Sequence, residues 1–464
     1  MKAPMTLFTP LRDQLGSDVF QIPGEFDPAR HVHDFLVGAP EGSDILGVAY
    51  PRTTQEVSEI LRFCNDHDIK VTPQGGMTGL AGGGAPVGST VVLSLERMRA
   101  IEEIDIAAGT ITVQAGIPLE GVQIAADNAG LFFPLDLGGR GTAQVGGNAS
   151  TNAGGNRVVR YGMMRQLVLG MEWVMADGTV VTSLNKMIKN NAGYDLKQMF
   201  IGSEGTLGVI TRLVLRLFPK ALSVQTGFCA LADYPSVLDL LARARAGLGA
   251  TLSAFEMMWP EFYHLGTEAL GKRSPIAPEH GVYVLIETMG DDPETDQARF
   301  EEVIAGAIEA GTVADAVIAK SGQEAKALWA IRDAPGEFSK VFWPQISFDI
   351  SISTGQMGDF MVECQKRLQA RWPEIRTVFF GHVADSNLHL SIKSDGDPKL
   401  EHEIDGEVYK AVGDWGGSIS AEHGIGVHKK PFLHFSRTPE EIALMRTLKA
   451  ALDPKGTLNP GKVF

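Results

Sequence analysis

The chain has 464 residues, 44% hydrophobic and 21% charged; this is the composition of a globular protein of two or three domains and excludes a disordered or fibrous chain. With 41 basic and 56 acidic residues the net charge is −15, which argues against nucleic acid as a general partner. No run approaches the ~18 apolar residues of a spanning helix, Met1 to Gly16 lacks the pattern of a secretory leader, and Cys64, Cys229 and Cys364 read as buried thiols of a reducing compartment.

In chain order, Thr53-x-x-Glu56 is a capping-box pattern followed by Val57, Ile60, Leu61 and Cys64 at helical spacing, which predicts a helix over about 54–66. Lys70 to Pro73 is a short strand, and a glycine run follows it: Gly75, Gly76, Gly79, Gly82, Gly83 and Gly84. The order helix, strand, glycine loop is wrong for a Rossmann dinucleotide site, which needs a helix after its glycines, and no G-K-[ST] completes a phosphate loop. Strands are expected at Val91–Leu95 and Thr110–Gln114, a helix at Pro118–Asn128, a hairpin over 167–182 turning at Asp177-Gly178, and a strand at Gly208–Phe218. After Pro219, helices at 236–247, 295–310, 322–333 and 355–370 alternate with strands at 281–288, 315–319, 347–353 and 377–383. That alternation predicts a second α/β domain on an antiparallel or mixed sheet. The turn-rich tail from Leu452 to Lys462 ends the fold.

Glycine is in excess, at 53 residues, and is concentrated. Besides the first run, Gly138, Gly139, Gly141, Gly146, Gly147, Gly154 and Gly155 form a second group, and Ile201 to Gly208 a third. Clusters of this kind let backbone N–H groups approach a pyrophosphate, with Ser150, Thr151, Asn152, Ser203 and Thr206 as candidate side-chain donors; each cluster taken alone is equally a set of turns. Taken together, Pro73-Gln74-Gly75-Gly76-Met77-Thr78-Gly79-Leu80-Ala81-Gly82-Gly83, then Gly146-Gly147-Asn148-Ala149-Ser150-Thr151-Asn152-Ala153-Gly154-Gly155, then Lys189 to Leu196, then Gly202-Ser203-Glu204-Gly205-Thr206-Leu207-Gly208 resemble the FAD proteins of the vanillyl-alcohol-oxidase type. The nearest branch is the FAD-linked D-2-hydroxyacid dehydrogenases, which include D-lactate and D-2-hydroxyglutarate dehydrogenases, and the resemblance runs over about 40–464.

The resemblance implies an α+β fold: an N-terminal extension (1–39), an FAD-binding domain (40–219), an α/β cap or substrate domain with an antiparallel sheet (220–440), and a C-terminal segment (441–464) returning to the FAD domain. It implies cofactor contacts from the residues of the first two motifs, Pro73 to Leu80 and Gly146, Gly147, Asn148, Ser150, Thr151, Asn152, Gly154 and Gly155, and from Glu204, Gly205, Gly208, Val209, Ile210 and Asn459. Met77 stands where many members carry the histidine that tethers the flavin, so the FAD is expected to be non-covalent.

The segment Gly381-His382-Val383-Ala384-Asp385-Ser386-Asn387-Leu388-His389 reads as a hairpin with a four-residue loop, Ala384 to Asn387. Val383 would then pair with Leu388 and His382 with His389, with Cβ atoms roughly 4.5–5.5 Å apart. Two imidazoles so placed either share a metal or sit incidentally on an exposed hairpin. Ser420-Ala421-Glu422-His423-Gly424-Ile425-Gly426 puts an acid beside a histidine in a glycine-flanked turn, which suits a third ligand next to a base. The resemblance implies that His382, His389 and Glu422 bind a divalent metal, zinc first among the candidates, that His423 accepts the substrate proton, and that Arg332, in Trp329-Ala330-Ile331-Arg332-Asp333, contacts the substrate carboxylate; from sequence alone Arg332 is equally the partner of a surface acid.

Three positions depart from the hydroxyglutarate-specific members. Gly336 and Ser347 replace a threonine and a lysine, and Ser391 replaces an asparagine. Lys340 is a candidate substitute for the lysine, and Phe342, Trp343 and Phe348 are either core or an apolar pocket wall. The expectation is therefore a monocarboxylic substrate such as D-lactate, with D-2-hydroxyglutarate or D-malate as the alternative. The sequence does not specify the electron acceptor; a quinone, an electron-transfer flavoprotein or a cytochrome is expected ahead of oxygen, and NAD is disfavoured because no second nucleotide site is apparent. A cytoplasmic protein is expected, with association at the face of the inner membrane and homodimerisation left open. Two other classes, a metal-dependent hydrolase and a flavin-binding protein without chemistry, leave the glycine clusters or the polar set respectively without a use.

Overall fold

The computed structural model describes residues 5–464 and divides into two compact units. The first runs to Gly154 and takes up Met163–Lys220 and Glu422–Phe464; the second holds Gly155–Gly162 and Ala221–Ala421. The late border thus falls after Ala421, where the sequence reading drew it after residue 440.

In the first unit, a four-stranded sheet runs in the order Phe20–Gln21, Asp44–Ala49, Ser89–Ser94, Lys70–Gln74. Its last three strands are parallel, and the first pairs antiparallel to Asp44–Ala49. The helix Thr54–Asp66 crosses between the parallel strands, with both arms of the Thr53/Glu56 capping box made and Val57, Ile60, Leu61 and Cys64 buried; periodicity and cap alone define it. A five-stranded antiparallel sheet follows in the order Ile101–Asp105, Thr110–Gln114, Val209–Arg216, Val168–Val174, Val180–Ser183. Its last two strands are the hairpin expected at Asp177-Gly178, where the Asp177 carboxylate accepts the N–H of Thr179 at 2.9 Å. The tail covers the edge strand Lys70–Gln74: Val71 N–H donates to Thr457 O at 2.8 Å, and Asn459 N–H donates to Val71 O at 2.7 Å. An edge strand left bare would template aggregation. Trp173, Phe133, Phe200 and Leu213 lie in the core of this unit.

The second unit is built on a seven-stranded sheet, ordered Asp315–Ile318, Ser223–Leu231, Val282–Gly290, Leu252–Met258, Thr377–His382, Asn387–Lys393, Gln345–Ser351, with every pair antiparallel. Val282–Gly290 and Leu252–Met258 are buried at every position, so both faces are covered. Sequence reading expected the first of these at 281–288 but not Leu252–Met258 or Ser223–Leu231, where Ser253 and Glu256, and Gln225 and Thr226, interrupt the apolar residues without the alternation of a half-buried strand. The four expected helices form as Tyr234–Leu248, Pro293–Glu309, Gly322–Arg332 and Met357–Arg371. Phe342 belongs to a buried aromatic cluster with Phe262, Tyr263, Tyr283 and Phe380, and Phe348 packs edge-on to Tyr409 at 5.3 Å. The three cysteines are buried and unpaired, their thiols pushed up to about 12 by burial. Among the described residues no helix is long and apolar enough to cross a membrane.

Candidate active site

In the first unit the glycine motifs meet. Pro73 and Gln74 end the edge strand, and the loop from Gly75 to Leu80 follows. Helix Val145–Thr151 carries Gly146, Gly147, Asn148, Ser150 and Thr151, and Asn152 ends it in the left-handed region. A Cβ on Gly76 would lie 1.9 Å from Thr142 O, so only glycine lets these two backbones touch. Above Gly147 a Cβ would meet nothing within 4 Å, which leaves its backbone open to a ligand. Gly202 N–H donates to Ala149 O at 3.0 Å and Glu204 N–H to Ser150 O at 2.8 Å; Gly208 then leads into the strand Val209–Arg216, which begins with Val209 and Ile210. Gly154 closes the first segment of this unit and Gly155 opens the short insert assigned to the second.

The cradle is buttressed from Gln74, whose amide Nε2 donates to His31 O and Gly84 O, each at 2.8 Å. Asp34 accepts the N–H of Gly82 at 2.6 Å. The expected side-chain donors are turned elsewhere. Ser150 Oγ donates to Gly146 O, Thr151 Oγ1 to Gly147 O, Ser203 Oγ to Phe200 O and Thr206 Oγ1 to Ser203 O. Each hydroxyl satisfies a carbonyl of its own turn, so backbone N–H groups are the donors this cradle offers. Three buried side-chain oxygens, Gln144 Oε1, Asn148 Oδ1 and Asn459 Oδ1, have no partner; buried acceptors of this kind call for a donor from outside the chain.

Glu204 links this cradle to the loop of His423. Its carboxylate accepts the N–H of Ile425 at 2.7 Å and of Gly426 at 2.8 Å, while Asn459 Nδ2 donates to Glu204 O at 2.7 Å. Burial raises the pKa of Glu204, against the two N–H bonds and the charges of Lys429 and Lys462, which lower it. Gly426 sits at φ 53° with Ala81 O only 1.9 Å from where a Cβ would be. His423 itself is half-buried.

In the second unit the hairpin forms in a different register from the one expected. His382 pairs with Asn387, Gly381 with Leu388 and Phe380 with His389. The reason is local: Val383–Asp385 turn as a short 3-10 segment and Ser386 takes φ 70°, so Val383, apolar and β-branched, leaves the strand. The shift moves the pairing by two residues and so keeps the face. His382 and His389 remain neighbours on the diagonal, with ring centroids 5.3 Å apart, both buried.

Behind each histidine stands a carboxylate that sequence reading missed. Glu256 lies directly across the sheet from His382, and Asp349 directly across from His389. Glu256 Oε1 accepts from His382 Nδ1 at 2.7 Å and Oε2 from Arg332 Nε at 2.6 Å. Burial opposes ionisation of Glu256, but His382 and Arg332 hold its pKa below the usual carboxylate value. For His382 burial lowers the pKa and Glu256 raises it, with a net upward direction. The hydrogen bonding nevertheless requires a bare Nε2: Arg332 Nη2, which has only protons to offer, faces it at 3.0 Å. Asp349 accepts from Asn387 Nδ2 at 2.9 Å and from the N–H of Ala421 at 3.1 Å; Glu422 is the next residue in the chain. The only hint of these acids in the sequence is a charge within an apolar run, Ala254-Phe255-Glu256-Met257-Met258 and Phe348-Asp349-Ile350.

Arg332, at the end of its helix, is 8% exposed and so is no surface ion-pair partner. Ser391 and Ser347 face each other across the strands, two residues from His389 and Asp349 and on their side of the sheet. Gly336 is exposed, and Lys340 reaches outward to Glu337 at 2.7 Å with its side chain 65% exposed. Phe342 and Phe348 are core and Trp343 is 54% exposed, so the apolar residues offered as a pocket wall are accounted for by packing and exposure. The third motif of the resemblance, Lys189–Leu196, is an exposed loop.

Residues 45–183 match the FAD binding domain family, and residues 221–463 match the C-terminal domain family of the FAD linked oxidases. The chain is 41% identical over 415 residues to the mitochondrial D-2-hydroxyglutarate dehydrogenase of Bos taurus, covering 89% of this chain and 76% of that one. It is 40% identical to a putative mitochondrial D-lactate dehydrogenase of Schizosaccharomyces pombe, over 89% and 80% of the two chains. It is 37% identical to the D-2-hydroxyglutarate dehydrogenase of Xanthomonas citri pv. viticola, over 90% and 89%. Among solved structures, p-cresol methylhydroxylase with substrate bound has a TM-score of 0.80 at 16% identity, covering 98% of this chain and 96% of that one. Alkyldihydroxyacetonephosphate synthase has 0.77 at 16%, covering 100% and 86%. At these identities the two structures establish the fold, which is of the vanillyl-alcohol-oxidase type.

Proposed function

The chain belongs to the FAD-linked D-2-hydroxyglutarate and D-lactate dehydrogenase family, and from that membership we propose that it oxidises D-2-hydroxyglutarate to the 2-oxo acid. This reverses the sequence-based preference for a monocarboxylic acid. The curated relatives named above are mainly hydroxyglutarate enzymes, and the aromatic residues behind that preference lie in the core or face outward.

The cradle of the first unit suits FAD: the open backbone at Gly147 leaves room for its pyrophosphate, and the three partnerless buried oxygens would accept from the hydroxyl, amino and ring N–H donors FAD also carries. Bound FAD supplies the acceptor for the hydride from C2 of the substrate. With Met77 at the tether position, its binding is non-covalent. The donor set His382, His389 and Glu422 suits a divalent metal, with zinc as the first candidate. Such a metal would polarise the substrate hydroxyl.

The chain's own residues have three tasks. Arg332 presents a guanidinium fork to the C1 carboxylate. His423 takes the hydroxyl proton as neutral imidazole, so that the C–H bond can release its hydride and C2–O becomes a carbonyl. Glu204 holds the His423 loop in place through the N–H groups of Ile425 and Gly426. The acceptor that reoxidises the flavin is a quinone, an electron-transfer flavoprotein or a cytochrome.

The observation that carries the reading is the 41% identity over 89% of the chain to a D-2-hydroxyglutarate dehydrogenase; the pair of buried histidines facing Glu256 and Asp349 across the sheet fits the metal-dependent chemistry proposed with it. A second reading, D-lactate or another monocarboxylic acid, draws on Gly336, Ser347 and Ser391, none of which offers a cation for a distal carboxylate. Anaerobic bleaching of the flavin by each acid tests both. A kcat/KM for D-2-hydroxyglutarate at least tenfold above that for D-lactate supports the first reading. The reverse ratio establishes the second, and no bleaching by any 2-hydroxy acid removes both.

A further inference from the structure

We propose that Glu256 is a positioning residue of this site: it fixes His382 in the tautomer that bares Nε2 for a divalent metal, and with its second oxygen it holds Arg332. The inference rests on the metal-dependent reading above and extends it to a residue outside every motif of the sequence.

Three observations carry it. First, register: Glu256 and His382 are directly opposed on adjacent antiparallel strands, so their side chains leave the sheet on the same face, a few ångströms apart. Second, hydrogen bonding: Oε1 lies 2.7 Å from His382 Nδ1 and Oε2 lies 2.6 Å from Arg332 Nε. A carboxylate can only accept, so the ring proton resides on Nδ1 and the lone pair on Nε2. Histidines that bind metals characteristically donate their other N–H to a carboxylate, which orients the ring and raises its basicity. Third, burial: Glu256 is 1% exposed, on a strand buried throughout. A carboxylate there persists only while both its oxygens are matched, so neither partner is incidental.

A second consequence follows from Arg332 Nη2, 3.0 Å from His382 Nε2. That nitrogen has one lone pair, which a guanidinium N–H and a metal cannot share. Arg332 and the metal therefore oppose each other at His382, whereas Glu256 favours both. Loss of Glu256 and loss of Arg332 should move metal affinity in opposite directions, which damage to packing alone would not do.

The test uses FAD-loaded enzyme, stripped with a chelator and titrated with zinc against a chromophoric competitor. Glu256→Gln is expected to weaken zinc binding by roughly 10–100-fold, with FAD stoichiometry retained and kcat falling more than KM rises. Glu256→Asp should recover part of the affinity. Arg332→Met should bind zinc at least as tightly as wild type while its KM rises. Zinc affinity in Glu256→Gln equal to wild type overturns the proposal. So does an Arg332→Met variant that loses zinc as Glu256→Gln does, and this arm still decides if Glu256→Gln fails to fold. Wild-type enzyme that takes up no zinc at all removes the metal-dependent reading itself, and the role of Glu256 with it. Wild type that binds zinc, with unchanged affinity in Glu256→Gln, leaves that reading intact and rejects only the inference.

Discussion

Glu204 and Gly426 are 222 positions apart in the chain and are joined by a hydrogen bond of 2.8 Å. With the companion bond to Ile425, the carboxylate fixes the backbone two and three residues beyond His423. The proton-accepting role proposed for His423 requires a loop that is held still, and Glu204 holds the backbone beside it.

Replacing Glu204 with alanine strands two N–H groups, at about 1–3 kcal/mol for each that stays buried without water. Deuterium exchange at Ile425 and Gly426 should accelerate, and flavin reduction should slow by at least about tenfold. Unchanged exchange at both amides would remove the anchoring role.

His423→Ala should keep its flavin and lose reduction by substrate, by on the order of 10²–10⁴-fold, the usual contribution of a general base. Stopped-flow bleaching under anaerobic conditions reads this directly. A variant that reduces at the wild-type rate shows that another group takes the proton.

His382→Ala and His389→Ala should each lower the metal content of purified enzyme to well below one equivalent while FAD absorbance at full occupancy persists. Elemental analysis alongside the visible spectrum separates the two. Full metal occupancy in either variant rules that histidine out as a ligand.

Lys462 donates to Ala85 O within the first unit, and burial draws its pKa down from 10.5 to about 8. Because the folded state binds this proton more weakly than the unfolded chain, folding is opposed below about pH 8, and that opposition fades as pH rises from about 8 to about 10.5. The effect is on the order of 3 kcal/mol, since each pKa unit is ~1.4 kcal/mol. Thermal unfolding of wild type and Lys462→Met across this range should show the wild type gaining on the variant as pH rises. Parallel curves would show that Lys462 keeps an ordinary pKa.

The parts of this site legible in the sequence are those that chemistry confines to consecutive residues. Glycines that must let backbones touch, such as Gly76 against Thr142, leave a local signature, and so does the spacing of His382 and His389. The hairpin's register was misread because Val383 has the composition of a strand residue and the backbone of a turn. Glu256 was invisible for another reason: it is 126 positions from His382, and only the order of strands in the sheet makes them neighbours. A lone acid in an apolar run states that something must match it, without saying what.

The first unit takes its pieces from both sides of the second, and its edge strand is covered by Thr457 and Asn459. On a ribosome, Lys70–Gln74 is therefore made long before the segment that shields it, and nearly four hundred residues must emerge while that edge stays bare. The cap unit, whose strands lie between Ser223 and Lys393, has its whole sheet available earlier. Vectorial synthesis thus favours completion of the inserted unit first and of the flavin cradle last.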